Sequence, residues 1–256
     1  MNKGIRELHL PDGEAQSELR KRSRRGFLIG GLAAVAAIGG YEWLGRAPQE
    51  NDQPWPLRRV LQANGTLSHG YLSDAHLAPT YSRRDITPLK SNGDIGLKEM
   101  MDPSKWNLSV STESAGPSLT LLLRDIQALP KVEMITRFCC IEGWSTISHW
   151  TGARFSDFTK RYYPPGRELT KYVSMTTPDE DYYVGLDMKS ALHPQTLLAY
   201  EYNGQPLTPD HGAPLRLVIP VKYGIKNIKR IGAIQYTNKK PDDYWAEVGY
   251  DWFAGL

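Results

Sequence analysis

The sequence predicts one α+β domain with a β-rich mixed core and short helices. Segments with β-branched residues and alternating polar and apolar side chains recur along the chain, each short enough for one strand. Turn residues separate these segments, since the 256 residues include 23 glycines and 18 prolines. Hydrophobic residues make up 40% of the chain, which is sufficient for a sizeable core. Many short strands with few helical segments favour the α+β class.

The N-terminal segment is typical of a targeting signal. A basic stretch ends in the pair Arg24 and Arg25, and the uncharged, apolar run of residues 26–40 follows it. The pattern Ser-Arg-Arg-x-Phe-Leu resembles the twin-arginine export signal, which carries proteins that have already folded, often around a cofactor. We therefore expect the body of the protein in the periplasm or on the outer face of the cytoplasmic membrane.

Three segments are expected along the chain. Residues 1–47 form the twin-arginine signal, which is either cleaved or kept as a membrane anchor. The apolar run is short for a spanning helix, but no clear cleavage site follows it because Pro48 comes directly after Ala47. Residues 48–65 contain further prolines and predict a linker. Residues 66–256 are then the folded domain.

The first half of the domain predicts a strand at 106–110 and a strand running into a short helix at 119–129, where Pro130 ends it. A strand at 134–139 follows. Residues 144–162 predict a helix with Ser145 as its N-cap, because large apolar residues recur near helical spacing: Ile147, Trp150, Phe155 and Phe158.

The second half predicts strands at 172–177, 197–202, 215–221 and 228–236, with one helical turn at 188–192. Asn203-Gly204 directly follows one of these strands and is a strong hairpin turn.

Charge and cysteine content exclude two classes of protein. The formal net charge is only +3 and the basic residues are spread along the chain, so no nucleic-acid partner is expected. The two cysteines, Cys139 and Cys140, are adjacent, and a disulfide between neighbours is strained. The body is therefore not a disulfide scaffold.

Cys140 is the candidate reactive residue. A thiolate is a strong ligand for transition metals, yet no Cys-x-x-Cys pair is present, which excludes a simple zinc ribbon or an iron–sulfur cluster. Two possibilities remain: a nucleophilic cysteine, or a metal whose other ligands belong to an organic cofactor. The predicted helix start after Cys140 would favour an anionic ligand there.

A C-terminal stretch concentrates polar and cationic residues beside glycines. Such a set suits a phosphate-bearing cofactor, although a solvated charged face has the same composition. Its members are Asp210, His211, Arg216, Lys222, Lys226, Lys229 and Arg230.

Three ordered motifs resemble one known family. The stretch Cys140-Ile141-Glu142-Gly143-Trp144-Ser145 resembles the Cys-x-Glu-x-Trp-Ser signature of the sulfite oxidase superfamily of molybdenum enzymes. Residues 203–216 resemble its second signature and residues 222–229 its third. The resemblance covers about residues 70–256. It is greatest to exported catalytic subunits of the periplasmic methionine sulfoxide reductase type.

The resemblance implies a sulfite oxidase-type molybdopterin-binding fold that holds a molybdenum-molybdopterin cofactor. Cys140 matches the metal ligand and is the expected catalytic residue, whereas Cys139 matches no functional position and is expected to be structural. Residues 81–83 are expected to supply an N-terminal cofactor contact. The matched pterin-binding residues are Thr177, His211, Arg216, Asn227 and Lys229.

The reaction implied is two-electron oxygen-atom transfer on a small S- or N-oxide or sulfur compound. Sulfite is not expected, because Gly143-Trp144-Ser145-Thr146 replaces the Gly-Asn-Arg-Arg of the sulfite oxidases. Neither a haem domain nor their dimerisation domain is expected, so electrons would pass to or from a separate redox partner such as a membrane cytochrome b. Two alternatives stay open: a metal-free enzyme pairing Cys140 with His149 or His211, and a non-catalytic anchored binding module.

Overall fold

The computed structural model describes residues 12–88, 90–98, 101–113 and 118–256. The chain forms two compact units. One contains the N-terminal helix up to residue 49 together with residues 54–56, and the other contains residues 50–53 and 57–256.

The N-terminal unit is dominated by α1 (Asp12–Arg46), a helix of 35 residues. The first eleven residues of the predicted signal lie outside the described part of the chain. Within that part, the segment Arg20–Arg46 is the one stretch of helix long and apolar enough to cross a membrane. A signal sequence near an N-terminus has the same length and composition.

The chain then forms two very short strands, β1 (Gln49–Glu50) and β2 (Gln53–Pro54), and the helix α2 (Trp55–Tyr71). The sequence predicts a linker over 48–65, but helix begins at residue 55. Pro56 is compatible with this helix, because the N–H groups of the first turn make no hydrogen bonds within a helix. Gly65 is the buried residue of α2 and lies against Asp251 and Phe253 of the tail.

The remaining helices and strands follow in chain order. They are β3 (Leu108–Thr112), β4 (Leu119–Leu121), α3 (Leu123–Gln127), β5 (Lys131–Cys139), β6 (Ser145–Arg154), α4 (Phe155–Tyr162), β7 (Tyr172–Thr176), β8 (Tyr183–Asp187), α5 (Met188–Ala191), β9 (Leu197–Tyr202), β10 (Gln205–Pro206), β11 (Arg216–Val218), β12 (Ala233–Thr237) and α6 (Tyr244–Glu247).

The strands after β2 make two sheets. The first has the order β10-β9-β6-β5, β11 also pairs with β9, and all its pairs are antiparallel. The second has the order β4-β3-β12-β7-β8, in which only the β3–β12 pair is parallel. The main apolar core includes Val110, Phe155, Leu198 and Ile234, so it takes side chains from both sheets and from α4. The predicted α+β class and β-rich core are confirmed.

The predicted helix over 144–162 is wrong in its first half. Residues 145–154 form β6, which pairs with β5 on one side and β9 on the other. Strand β5 pairs with residues 145–153 and β9 with residues 150–154, while Thr87 and Asn203 bond to the outer edge of residues 147 and 149. These backbone partners outweigh the near-helical spacing of the apolar residues. Ser145 lies opposite Cys139 in the sheet and is not a helix cap. Only Phe155 and Phe158, in α4, keep the predicted helical spacing.

Most other elements agree with the sequence. The strand-to-helix segment at 119–129, the strands beginning at 172 and 197, and the helical turn after 188 are confirmed. Asn203 and Gly204 have positive φ angles of 49° and 77°, as a two-residue hairpin turn requires. Strand β8 was not predicted, and β11 and β12 are shorter than expected.

Gly152 gives a test of the first sheet. A Cβ atom at this position would overlap the carbonyl oxygen of Leu198, where the β6–β9 register shifts. Gly152→Ala should therefore lower the free energy of unfolding by about 1–3 kcal/mol. Gly70→Ala is the matched control, since Gly70 is helical with open space around it, and it should leave stability unchanged or raise it by about 0.5–1 kcal/mol. Urea unfolding of both purified variants checks this, and equal effects would contradict it.

Candidate functional site

A cleft, which measures about 950 Å³ when the space open to solvent is counted, lies where the β5–β6 turn meets the C-terminal loops. Five segments of the chain line it, one of which contributes Tyr182 alone. Its lining residues are Lys90, Asn92, Gly93 and Ile95 from one loop; Phe138, Cys140, Ile141, Glu142, Trp144 and Trp150 from the β5–β6 hairpin; Tyr182, His211, Arg216, Gly224, Ile225, Asn227 and Lys229; and Trp245 and Tyr250 from the tail.

Cys140 is in the tight turn of the β5–β6 hairpin. Its N–H donates to the Trp144 carbonyl over 2.9 Å, and its carbonyl accepts from Gly143 N over 3.1 Å. Gly143 has a φ of +88°, a conformation that glycine adopts without strain. The strand end predicted for Cys140 is therefore confirmed. The predicted helix start beside it is wrong, and so is the electrostatic argument that used it.

The thiol of Cys140 faces the cleft, whereas Cys139 does not line it. Cys140 is buried, and the Asn92 amide lies 3.9 Å from its sulfur. Cys139 is half-buried, and burial raises the pKa of its thiol. Cys140 is thus the cysteine that a ligand in the cleft can reach.

Glu142 organises the outer part of the turn. Its carboxylate accepts hydrogen bonds from Trp144 Nε1 over 3.0 Å and from Asn92 Nδ2 over 3.1 Å. The Lys90 ammonium lies 4.8 Å from the centre of the Trp144 ring. The bond from Trp144, then that from Asn92, and the charge of Lys90 lower the pKa of Glu142. Glu142 is therefore an ionised acceptor at neutral pH.

Arg216 is a buried cation without an acidic partner in the described part of the chain. Its guanidinium donates to the carbonyls of His211, over 3.0 Å, and Asn227, over 3.3 Å. It lies 4.7 Å from the centre of the Trp150 ring. Burial lowers the pKa of Arg216 to about 10, so it keeps its charge at neutral pH. A buried charge is costly unless an opposite charge compensates it, so this arrangement favours an anionic ligand.

Lys229 is a second cation in the cleft. Its ammonium donates to the carbonyls of Asn92 and Gly93, each over 3.0 Å. Burial, followed by the nearby charge of Arg216, lowers the pKa of Lys229 to about 8. An anion between the two cations would relieve their mutual repulsion and raise this pKa.

His211 presents an unsatisfied ring nitrogen. Its Nδ1 lies 2.6 Å from the Thr208 hydroxyl, whereas its buried Nε2 has no partner among the described residues. Burial, then the charges of Arg216 and Lys229, lowers the pKa of His211. The imidazole is therefore neutral at pH 7 and offers its free nitrogen to a ligand. A buried polar atom without a partner marks a place that a ligand can satisfy.

Asn227 lines the cleft with its side chain already engaged. Its amide oxygen accepts from Ile219 N over 2.8 Å, and its amide nitrogen donates to the Tyr223 carbonyl over 3.1 Å. Asn227 therefore shapes the loop, and its backbone carbonyl supports Arg216.

Thr177 and residues 81–83 do not line this cleft. The Thr177 hydroxyl donates to Asp179 over 2.6 Å, and its side chain packs against Gly96 at the base of the loop that carries Asn92. Tyr81 pairs with β5, since its N–H donates to the Ile135 carbonyl over 3.0 Å. The cofactor contacts expected at these positions stay predictions.

Two lysines of the third motif are structural. Lys226 is fully buried and pairs with Asp243 beneath the Trp252 ring. Lys222 donates to the Phe253 carbonyl over 2.8 Å. Of the three lysines in the Lys222–Lys229 motif, only Lys229 reaches the cleft.

His149 is not placed to act with Cys140. Its Nε2 bonds to the Glu133 carboxylate over 3.0 Å, and it does not line the cleft.

Several other residues line the cleft although no motif in the sequence indicates them. Asn92 and Lys90 come from a turn-rich loop that carries no signal of proximity to Cys140. The aromatic-rich tail was visible in the sequence, but not its position in the cleft wall.

Comparison with known proteins identifies the family. The family model described as "Oxidoreductase molybdopterin binding domain" matches residues 95–245. The chain belongs to this family. Membership confirms that the protein is a molybdopterin-binding oxidoreductase, as the resemblance to the sulfite oxidase superfamily predicts, and nothing in the comparisons supports the metal-free or non-catalytic alternatives.

Two curated relatives and one solved structure are similar to this member of the molybdopterin-binding oxidoreductases. The chain is 40% identical over 191 residues to YedZ1 of Azospira oryzae, named as a subunit of protein-methionine-sulfoxide reductase, covering 73% of this chain and 71% of YedZ1. It is 32% identical over 265 residues to the protein-methionine-sulfoxide reductase catalytic subunit MsrP of Xanthomonas campestris pv. campestris, covering 94% of this chain and 78% of MsrP. The sulfane dehydrogenase SoxCD from Paracoccus pantotrophus is 16% identical, with a TM-score of 0.49 over 56% of this chain and 40% of that chain.

The residues of the cleft fit a molybdopterin. A pterin carries hydrogen-bonding ring edges and a terminal phosphate, and its dithiolene leaves metal positions for one protein thiolate. The two cations of the cleft, the buried Arg216 and the half-buried Lys229, suit the phosphate. The unsatisfied His211 nitrogen suits a polar edge of the pterin, and Cys140 offers the thiolate.

Lys222 gives a test of the electrostatics near the cleft. Burial lowers the pKa of Lys222 to about 6 in the folded protein, whereas an unfolded lysine titrates near 10.4. Between these pH values the unfolded chain binds more protons, so stability should rise with pH by up to about 1.4 kcal/mol per unit.

Lys222→Met should remove this contribution and stabilise the protein more at pH 7 than at pH 9. The exposed Lys189→Met is the matched control, and it should leave the pH dependence as in the wild type. Urea unfolding at both pH values measures the effect. An unchanged slope for Lys222→Met would contradict the prediction.

Proposed function

We propose that this chain is the catalytic subunit of an exported molybdenum enzyme that reduces a sulfoxide to a thioether by oxygen-atom transfer. The observation that carries the proposal is the cleft in which the Cys140 thiol faces the same space as two cations, the buried Arg216 and the half-buried Lys229. A thiolate for a metal and a cradle for a phosphate are the two attachments that a molybdopterin needs.

The molybdenum, when bound, supplies a centre that passes between oxidation states two electrons apart and can accept or release one oxygen atom. Cys140 would bind the metal as a thiolate, since a metal-bound thiol is deprotonated. Arg216 and Lys229 would bind the phosphate, and the guanidinium fork allows two parallel hydrogen bonds to it. His211 would stay neutral and contact the pterin through Nε2.

The other residues of the cleft control geometry and protons. Glu142 is ionised, so it holds Asn92 and Trp144 in place beside Cys140 and does not serve as a proton donor at neutral pH. Reduction of a sulfoxide consumes two electrons and two protons and releases water. The electrons would come from a separate redox partner such as a membrane cytochrome b, and the protons from solvent at the open side of the cleft.

A sulfoxide is the favoured substrate for two reasons. The relatives YedZ1 and MsrP carry names that assign them to methionine-sulfoxide reduction. The walls of the cleft are also apolar and aromatic, with Ile141, Trp144, Trp245 and Tyr250 in its lining. Aromatic rings favour contact with sulfur groups, whereas an anion such as sulfite would need cations of its own.

Metal content and turnover of two cysteine variants test this function. Protein made in a host that supplies the cofactor should contain one molybdenum and one pterin per chain and reduce methionine sulfoxide with a dye donor. Cys140→Ser should reduce turnover by at least 10³-fold and change the spectroscopic signal of the metal, because an alcohol replaces the thiolate ligand. Cys139→Ser is the matched control and should keep turnover within a few-fold of wild type. Absence of molybdenum from the wild type, or equal losses in both variants, would refute the assignment.

Export is proposed through Arg24 and Arg25 at the start of the apolar segment. Replacing both by Lys should leave the folded protein in the cytoplasm, since the pair is the recognition element of the twin-arginine signal. Lys21→Arg is a control that keeps the charge and leaves the pair intact. Cell fractionation with antibody detection measures the distribution. Normal export of the double variant would exclude this route.

A further inference from the structure

Trp150 lies against the guanidinium of Arg216, the cation proposed to bind the cofactor phosphate. It is in β6, opposite Met134 on β5 and Tyr202 on β9, and is only 1% exposed. Its ring is part of the cleft lining, and the Arg216 guanidinium lies 4.7 Å from the ring centre. Arg216 comes from β11, which pairs with the far side of β9. The sheet therefore brings the two side chains together from strands that are far apart in sequence.

The surroundings of Arg216 are unusual for a buried arginine. Buried charges are generally paired with an opposite charge, yet Arg216 has three carbonyl partners and one aromatic face within the described residues. An aromatic face attracts a cation through its quadrupole but carries no net charge. Among the rings of Trp, Tyr and Phe, the indole ring of Trp attracts a cation most strongly. A carboxylate in this place would neutralise the guanidinium and repel an incoming phosphate.

Two more rings limit the movement of Trp150 and Arg216. Tyr202 packs on Trp150 with ring centres 5.3 Å apart. His211 stacks on Tyr202 at 5.5 Å with an interplanar angle of 14°, and the His211 carbonyl accepts from Arg216. The rings of Trp150, Tyr202 and His211 thus pack in series, and Arg216 contacts the first ring and the backbone carbonyl of the last residue. Neither contact supplies a negative charge.

We propose that Trp150 is a positioning residue for the cofactor phosphate. Its ring face holds the Arg216 guanidinium in its binding orientation without neutralising it, so that the full charge is available to the phosphate. The inference rests on the proposed function, because it requires the pterin to occupy this cleft. It differs from a direct contact role, in which the indole N–H, which has no partner among the described residues, would donate to the cofactor.

Three variants separate these roles. Trp150→Phe keeps an aromatic face and removes the N–H group, whereas Trp150→Leu removes both. Trp106→Leu is the matched control: Trp106 is also buried, at 3% exposure, but its Nε1 donates to the Ile231 carbonyl over 2.9 Å in the core, and it does not line the cleft. The full chain is purified with its cofactor from a host that supplies molybdopterin. If Trp150→Leu does not fold, Trp150→Met replaces it, since the flexible Met side chain adapts to an irregular space and also lacks a π face.

The main measurement is the rate at which pterin leaves the protein after dilution. The pterin retained by the protein at each time is oxidised and quantified by its fluorescence. Molybdenum content and the unfolding midpoint are measured on the same samples. Trp150→Leu should lose pterin at least tenfold faster than wild type, as should Arg216→Lys. Trp150→Phe should stay within about threefold of wild type. Trp106→Leu should unfold more easily but keep the wild-type rate of pterin loss.

Several outcomes would overturn the inference. Pterin loss from Trp150→Leu at the wild-type rate would show that the ring is not needed. Equal loss from Trp150→Phe and Trp150→Leu would assign the role to the N–H group. Equal loss from Trp106→Leu would show that the effect follows stability alone. A wild type without pterin would refute the proposed function itself, which distinguishes that failure from the other three.

Discussion

The pairing of β6 with β5 on one side and β9 on the other is the constraint on which the site depends. The β5–β6 pairing runs from Lys131–Ala153 to Cys139–Ser145 and leaves Cys140 in the turn. The β6–β9 pairing places Trp150 beside Tyr202, and β9 in turn pairs with β11, which carries Arg216. Cys140, the proposed metal ligand, and Arg216, proposed to bind the phosphate, are far apart in sequence and are brought to one cleft by this sheet.

Three polar residues of the cleft lack either an acidic partner or a hydrogen-bond partner within the described residues. Arg216 lacks an acidic partner, Lys229 is bonded only to carbonyls, and the His211 Nε2 lacks any partner within the described residues. A buried cation without an opposite charge and a buried nitrogen without a hydrogen-bond partner are both groups that a ligand can complete. Lys226 lies in the same motif as Lys229 but is paired with Asp243, so it contributes to the fold, whereas Lys229 is one of the cations proposed to bind a ligand.

Close backbone packing at glycines lets these groups approach one another. Gly224 is in van der Waals contact with the Phe138 ring, where a Cβ atom would overlap the ring. Gly212 has a φ of +94° and packs against Lys229, where a Cβ atom would lie 2.7 Å from that of the lysine. The loop of Gly224 can therefore pack against Phe138 of β5, and the loop of Gly212 can pack against Lys229.

The α+β class, most strands, the Asn203-Gly204 turn and the family could be predicted from the sequence alone, because these depend on local patterns and on short motifs. It misjudged residues 145–154, whose apolar spacing is compatible with a helix until two neighbouring strands supply the partners for the backbone. Which motif residues line the cleft could be seen only in the folded structure. Lys222, Lys226 and Lys229 are alike in sequence, but the direction of each side chain depends on the loop path and on acidic partners from distant segments. The support of Arg216 by Trp150 is likewise a product of strand pairing, which no local pattern encodes.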